Sequence, residues 1–229
     1  MKTALILGAS SGIGLDIARN LKDYLVIGVG KDVSKVTDVP SNLKLISRDL
    51  SNPSEISKLF SQIKTDFCIS CPDVIIFSCG CAYYGLHENI EIQSISDMVN
   101  VNFMAPMAIT SHYLSYMKQR KSGRLIYISS VTANHINPHG AAYGATKSGI
   151  TSFARSIFEE SRKRNIKVNV ISPDLTSTEL YRNADFRPNG DVSLSVSDVT
   201  NATLYAINQP DNVDVFEITI RPQVNSIVR

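Results

Sequence analysis

From residue 4 to residue 220 the chain alternates short, predominantly Val/Ile/Leu runs with longer segments of helical spacing, and this order constrains the fold more than any single residue does. Apolar runs cover residues 4–7, 25–29, 43–46, 74–77, 125–128 and 168–171, with a last strand expected over 213–220. Strands that bury one face alternate apolar and polar residues, whereas strands covered on both faces read as nearly continuous apolar runs. Between them, Ile13, Ile17 and Leu21 recur at helical spacing. Further helices are expected over 54–63 behind the Asn52-Pro53 cap, 95–118 despite Pro106, 142–163 and 197–207. Strand and helix in alternation predict an α/β fold, a doubly wound Rossmann-like parallel sheet with helices on both faces. At 229 residues, with no linker or repeat, the chain is read as a single domain, 1–229.

Composition narrows the function classes. The formal net charge is +2, and the densest basic run, Arg162-Lys163-Arg164, closes a helix where cations suit the negative end of the dipole. Nucleic acid is therefore not an expected partner. No apolar run reaches the length of a bilayer span, and the first residues lack the features of a signal peptide, so a cytoplasmic protein with no membrane partner is expected. Cys68, Cys71, Cys79 and Cys81 fall within fourteen positions, a spacing open to a thiolate zinc site. Two of them, however, follow directly on the apolar run 74–77, in a region where a nucleotide would lie. Reduced thiols and no metal are the expectation.

In doubly wound sheets, ligands bind beyond the carboxyl ends of the strands, so the residues after each strand carry the functional reading. After the first comes Gly8-Ala9-Ser10-Ser11-Gly12-Ile13-Gly14. Such a bare loop lets a pyrophosphate rest on amide groups at a helix N-terminus, although its spacing is not that of the G-x-G-x-x-G fingerprint. After the second, Gly30 stands where an acid would read a ribose 2′-hydroxyl, and Lys31 follows. A cation there suits a 2′-phosphate, which favours NADP(H) and leaves NAD(H) open. After the third, Asp49-Leu50 offers a carboxylate to an adenine amino group.

Ser129-Ser130 end the fifth run. Thirteen residues beyond Ser130 stands Tyr143, and four further on Lys147, on one face of a helix. A phenol titrates near pH 10 and needs a positive neighbour to exchange protons near neutrality. A Tyr-x3-Lys pair is expected about 0.5 times by chance in this composition, so its position behind a strand-terminal serine carries the specificity.

Together these residues resemble the short-chain dehydrogenase/reductase family, over residues 3 to about 222. The resemblance implies catalytic roles for Asn102, Ser130, Tyr143 and Lys147. Tyr143 would pass the proton, Ser130 would bind the same oxygen, Lys147 would hold the nicotinamide ribose and depress the phenol's pKa, and Asn102 would anchor a relay water. It also implies that Gly80 gives backbone access to the ribose and that Thr176 and Thr178 hold the carboxamide. The sequence departs from the family's Asn-Asn-Ala-Gly at Ser78-Cys79-Gly80-Cys81, and from its Pro-Gly at Pro173-Asp174. The ending VDVFEITIRPQ resembles NADP-dependent 3-hydroxy acid dehydrogenases and broad carbonyl reductases. That likeness implies a small keto or 3-hydroxy acid substrate; a pterin side-chain ketone or a biosynthetic oxo intermediate is the runner-up. A nucleotide-sensing protein of the same fold without chemistry is the rival class. Residues 175–196 are expected to cover the substrate, with Arg182 or Arg187 facing a carboxylate. A homodimer or homotetramer through helices 95–118 and 142–163 is expected.

Overall fold

The computed structural model describes residues 1–184, 186–224 and 227–228. The described residues form nine strands: β1 (Lys2–Leu7), β2 (Tyr24–Gly30), β3 (Leu43–Ser47), β4 (Val74–Phe77), β5 (Gly123–Ile128), β6 (Ile166–Pro173), β7 (Arg187–Pro188), β8 (Glu217–Ile220) and β9 (Ile227–Val228). Seven form one parallel sheet in the order β3-β2-β1-β4-β5-β6-β8, and β7 pairs with β9 separately. The helices are α1 (Gly12–Asn20), α2 (Pro53–Phe67), α3 (Ile92–Val99), α4 (Ala105–Arg120), α5 (Ala141–Ser161) and α6 (Val196–Ile207). None of the described helices is long and apolar enough to cross a membrane.

The continuous apolar runs have a direct explanation in this arrangement. Side chains of a strand alternate faces, and here both faces are covered. Leu5, Leu7, Ile75 and Phe77 pack with Ile109 and Tyr113 of α4 and Ile150 and Ala154 of α5. Their strand neighbours Ala4, Ile6, Val74 and Ile76 pack with Ile17 and Ala18 of α1 and Val199 and Ala206 of α6. The fold is the doubly wound Rossmann-like sheet the sequence predicts. Its strand order reverses between β1 and β4, opening a crevice at their carboxyl ends.

Two predicted elements need correction. The helix expected over 95–118 is not continuous: α3 gives way to a π-helical turn, Asn100–Met104, before α4 begins. The Ala105 amide donates to Asn100; the next residue, Pro106, has no amide hydrogen to continue the pattern. The carbonyl of Val101 is left without that donor, and the Cys79 thiol reaches it at 3.5 Å. The strand expected over 213–220 begins only at Glu217. Upstream, Asp214 takes over the pairing through its side chain, accepting from the Val168 amide at 3.0 Å and from Asn169 Nδ2 at 2.7 Å. The Asn52 cap and Pro53 stand as predicted, with Asn52 Oδ1 accepting from the Ser54 amide at 3.0 Å.

Asn169 and its neighbours form a buried polar post between β5, β6 and α6. The Arg124 guanidinium donates to Asn169 Oδ1 and to the Ala206 carbonyl, both at 2.8 Å. Removing one partner of such a group strands a buried charge, which costs more than replacing the charge itself. Asn169→Ala should therefore lower unfolding free energy by about 3 kcal/mol, and Arg124→Met by clearly less. Denaturant titration of the two variants measures this, and equal losses would refute the ranking.

Candidate active site

All the loops that follow β1 to β6 contribute to one cleft. Every residue expected at the site lines it except Asn102: Gly8, Ser10, Ser11, Gly12, Ile13, Gly14, Lys31, Asp49, Leu50, Gly80, Ser130, Tyr143, Lys147, Thr176 and Thr178 all face it.

The glycine loop is shaped by contacts that exclude side chains. A Cβ on Gly8 would stand 2.5 Å from the Cys79 amide nitrogen, and one on Gly14 2.2 Å from the Gly8 carbonyl oxygen. Both lie well inside van der Waals contact, so the loop sits down on the end of β4 and α1 starts directly against it. Gly12, with φ +55°, faces open space bounded by the Thr178 methyl. Ser11 occupies the N-cap position of α1 but makes no capping hydrogen bond. The first turn of α1 therefore presents amide groups with no side-chain acceptor, at the positive end of the helix dipole. A bare backbone with free donors fits the pyrophosphate of a dinucleotide.

At the adenine end, Gly30 is closed to any side chain by Ser10, whose Cβ would lie 2.6 Å from the added carbon. Lys31 Nζ lies 2.7 Å from Asp49 Oδ2. The two residues expected to read different parts of a nucleotide are thus paired with each other. Partial burial alone would raise the Asp49 carboxyl, but hydrogen bonds from Lys31 and Ser51 outweigh it and hold it below its usual value. The Lys31 side chain is 78% exposed. Such a pair contributes little to stability and is readily exchanged for a stronger anion.

At the other end stand Ser130, Tyr143 and Lys147, only 8%, 3% and 5% exposed. The one-face spacing on α5 holds: Lys147 Nζ lies 5.7 Å from the centre of the Tyr143 ring and donates to the Ile128 carbonyl at 2.8 Å. Ser130 Oγ accepts from the Thr132 amide at 3.2 Å. Behind them Ser129 and Thr151 share a 2.6 Å hydrogen bond that ties β5 to α5. Asn102 sits one layer back, carried by the π-helical turn. Its Oδ1 accepts from the Cys81 amide at 2.9 Å, and its Nδ2 donates to the Cys81 carbonyl at 2.9 Å and to Thr146 Oγ1 at 3.1 Å. That side chain clamps the strand-four loop in place, and a water it anchors has only the remaining lone pair or the main-chain carbonyl to use.

Burial dominates the electrostatics at this end. Desolvation raises the Tyr143 phenol well above its ordinary value, with only the Ser130 side chain opposing it among the main influences. The same desolvation pushes Lys147 down to about 8, opposed by the nearby thiols of Cys79 and Cys81. Two groups this deep each favour their neutral form.

Both departures from the family pattern have local solutions. Cys79 fills its position with a thiol bonded to Val101, and the Cys81 backbone is held by Asn102. Asp174 does not adopt a glycine-like positive φ. Its amide extends the ladder to the Ile220 carbonyl at 3.0 Å, while its own carboxylate accepts from the Leu175 amide at 2.8 Å. The four cysteines do not converge. Cys68 and Cys71 precede β4 and Cys79 and Cys81 follow it, so a full strand separates the pairs. All four are free thiols, and no cluster of metal-ligating side chains occurs among the described residues.

The segment 175–196 has apolar anchors of its own. Tyr181 and Leu194 are buried within it. Arg187, a candidate for a substrate carboxylate, instead donates to the carbonyls of Tyr181, Arg182, Ala184 and Phe186. Arg182 does line the cleft, with the opposite charge of Glu179 beside it on the rim. Sequence reasoning passed over Tyr84, whose ring lies 5.9 Å from that of Tyr143, because a single aromatic on a loop has no periodicity to mark it.

Comparison with known proteins agrees with this geometry. A family model described as short chain dehydrogenase matches residues 2–187. An uncharacterized oxidoreductase of Staphylococcus epidermidis is 28% identical over 227 residues, covering 96% of this chain and 97% of its own length. An uncharacterized oxidoreductase of Staphylococcus aureus is 29% identical over 228 residues, with the same coverage. Among solved structures, a 4-hydroxyisoleucine dehydrogenase complexed with NADH superposes with a TM-score of 0.84 at 25% identity, covering 96% of this chain and 97% of the other. A serine dehydrogenase in its closed form with NADP+ gives a TM-score of 0.87 at 21% identity, covering 98% and 96%, a likeness of fold.

Lys147 supplies a test of the buried site. An unfolded lysine keeps its proton to about pH 10.4, whereas the folded one releases it near 8. Between these values the unfolded chain binds more protons, so this residue's contribution to folding becomes more favourable as pH rises. Lys147→Met should be more stable than the parent at pH 7, and the gap should shrink by about 3 kcal/mol by pH 10.5. Denaturant unfolding of both proteins across that range measures it, and a constant gap would refute the buried, easily neutralised amine.

Proposed function

We propose, on the premise that the chain belongs to the short chain dehydrogenase family, that it is a nicotinamide-dependent oxidoreductase of carbonyl compounds and secondary alcohols. The observation that carries this reading is that Tyr143, Ser130 and Lys147 close one end of the cleft whose other end is the bare glycine loop. A bound nicotinamide dinucleotide, NADP(H) or NAD(H), would supply the hydride. Gly8 to Gly14 would hold its pyrophosphate, Asp49 and Leu50 its adenine, and Gly80 and Lys147 its nicotinamide ribose. Thr176 and Thr178 would hold the carboxamide. Thr178 lines the cleft with its methyl nearest the space over Gly12.

In reduction, the Tyr143 phenol gives its proton to the oxygen that gains charge as the carbonyl is reduced, and the Ser130 hydroxyl donates a hydrogen bond to the same oxygen. A phenol held neutral by burial is in the correct form to act as the acid. Lys147, buried beside the phenol and shifted down to about 8, would hold the ribose of the bound dinucleotide and is the group from which the proton on Tyr143 would be restored. Oxidation of an alcohol runs the same proton path in reverse. A nucleotide-sensing role without chemistry would have no need to bury an ionisable phenol beside an ionisable amine. The substrate reading carried by the C-terminal stretch, a small keto or 3-hydroxy acid, places its carboxylate at Arg182, the one candidate arginine that faces the cleft.

For the cofactor we favour NADP(H). Gly30 offers no acid to repel a 2′-phosphate, and Lys31 can leave its weak pairing with Asp49 for a dianion. Tyr143→Phe should lower turnover by about 10²-fold or more while dinucleotide affinity stays within about 3-fold. Undiminished turnover in a panel of ketones and oxo acids removes the assignment. Lys31→Ala should weaken NADPH binding by about 10-fold and leave NADH binding nearly unchanged. Calorimetric titration of both nucleotides distinguishes this from a solvated surface lysine, which would change neither.

A further inference from the structure

Beside Tyr143 the fold gathers three more rings from two distant parts of the chain. Tyr84, in the segment after β4, lies 5.9 Å from the Tyr143 ring. Tyr181 lies 5.9 Å from Tyr84, near parallel at 25°, and Phe186 meets Tyr84 edge-on at 5.1 Å. Tyr181 and Phe186 are themselves 5.5 Å apart. Of the three, Tyr181 reaches the cleft, next to Leu180. Rings packed at these separations leave no slot between them for another ring, so they act together as one apolar wall with a single free side.

The wall is fastened rather than loose. The Arg187 guanidinium donates to the main-chain carbonyls of Tyr181, Arg182, Ala184 and Phe186, tying one turn of chain around a single side chain. The ends of the segment are pinned to each other: the Leu194 amide donates to the Leu175 carbonyl at 2.9 Å, and the Ser177 amide to the Leu194 carbonyl at 2.8 Å. Burial keeps the Tyr84 and Tyr181 phenols neutral, pushing the first up to about 12 and raising the second. Arg182 and Glu179 line the cleft beside Leu180 and Tyr181.

We propose that Tyr181, backed by Tyr84 and Phe186 and held by Arg187, is the substituent-binding wall of the substrate subsite. The carbonyl compound it takes carries a flat or branched apolar group next to the reacting carbon. This rests on the oxidoreductase reading and narrows its substrate class from any small carbonyl to an apolar-substituted one, leaving a carboxylate, if present, at Arg182. Arg187 is a positioning residue in this scheme and touches no substrate.

The test uses NADPH-loaded protein with acetophenone and 2-butanone as probes. The parent should have a kcat/KM about 10-fold higher for acetophenone, and Tyr181→Ala should lower that value by about 10-fold while changing the 2-butanone value by less than about 3-fold. Tyr181→Phe, which keeps the ring, should retain the preference. Arg187→Ala should raise KM for acetophenone with kcat largely kept and NADPH affinity unchanged. Tyr181→Leu replaces Tyr181→Ala should the latter not fold. Equal kcat/KM for the two ketones in the parent, or an equal loss for both in the variants, overturns the wall. Should neither ketone be reduced, the oxidoreductase reading loses its support, and calorimetric titration of acetophenone into the loaded protein decides the wall separately. Binding that disappears in Tyr181→Ala upholds it, and no binding to the parent overturns it.

Discussion

The approach of two main chains, with no room for a carbon atom between them, governs the rest of the structure. Gly8 leaves β1 against the amide of Cys79 beyond the end of β4, and Gly14, in the first turn of α1, lies against the carbonyl of Gly8. Because β1 and β4 are neighbours at the point where the strand order reverses, this contact fixes the floor of the crevice. It also brings the start of α1 to the crevice with its amides facing outward. Everything that follows β4 inherits its position from that floor. The Cys79 thiol reaches back to the carbonyl that Pro106 leaves without a partner, and Asn102 holds the Cys81 backbone from the same π-helical turn. A proline that would ordinarily break a helix thus contributes to the shape of the cleft two layers away.

The opposite end of the cleft depends on burial. Tyr143 and Lys147 are held where water is largely excluded, and each is driven toward its uncharged form. A stable protein without a reaction to perform would gain by replacing that lysine with an apolar residue. Lys147 answers part of the cost with its bond to the Ile128 carbonyl, and Ser129 with Thr151 braces the strand and helix that present it. The energetic burden is carried by the sheet, whose strands are covered on both faces. Stability is generated in the two apolar layers and spent at the strand ends.

Much of this was legible from the sequence because it follows periodicity. Buried parallel strands announce themselves as unbroken apolar runs, and a glycine loop between strand and helix marks the crevice. The spacing of Tyr143 and Lys147 places both on one face of α5. What escaped was set by partners far apart in the chain. The π-helical turn lies just before a proline and carries a carbonyl reached by a thiol from the loop after β4, and no local window contains both. The late start of β8 reflects the Asp214 side chain replacing main-chain pairing. Lys31 and Asp49 both line the cleft, and their mutual pairing depends on β2 and β3 being neighbours. The direction of the Tyr143 shift followed from burial depth, which residue type and spacing do not encode.

Arg187 shows the same limit from the other side. In a polar segment an arginine reads as a charge in search of an anion, because sequence reveals its charge and not its surroundings. Its five donors and planar fork also suit it to gather main-chain carbonyls, and here four of them converge on it within six residues. A loop with few apolar residues lacks the means to fix its own shape by burial, so a single guanidinium does so instead. Tyr181 and Phe186 then pack on each other and together against Tyr84. The segment is consequently apolar where it meets Tyr84 and polar at its fastening.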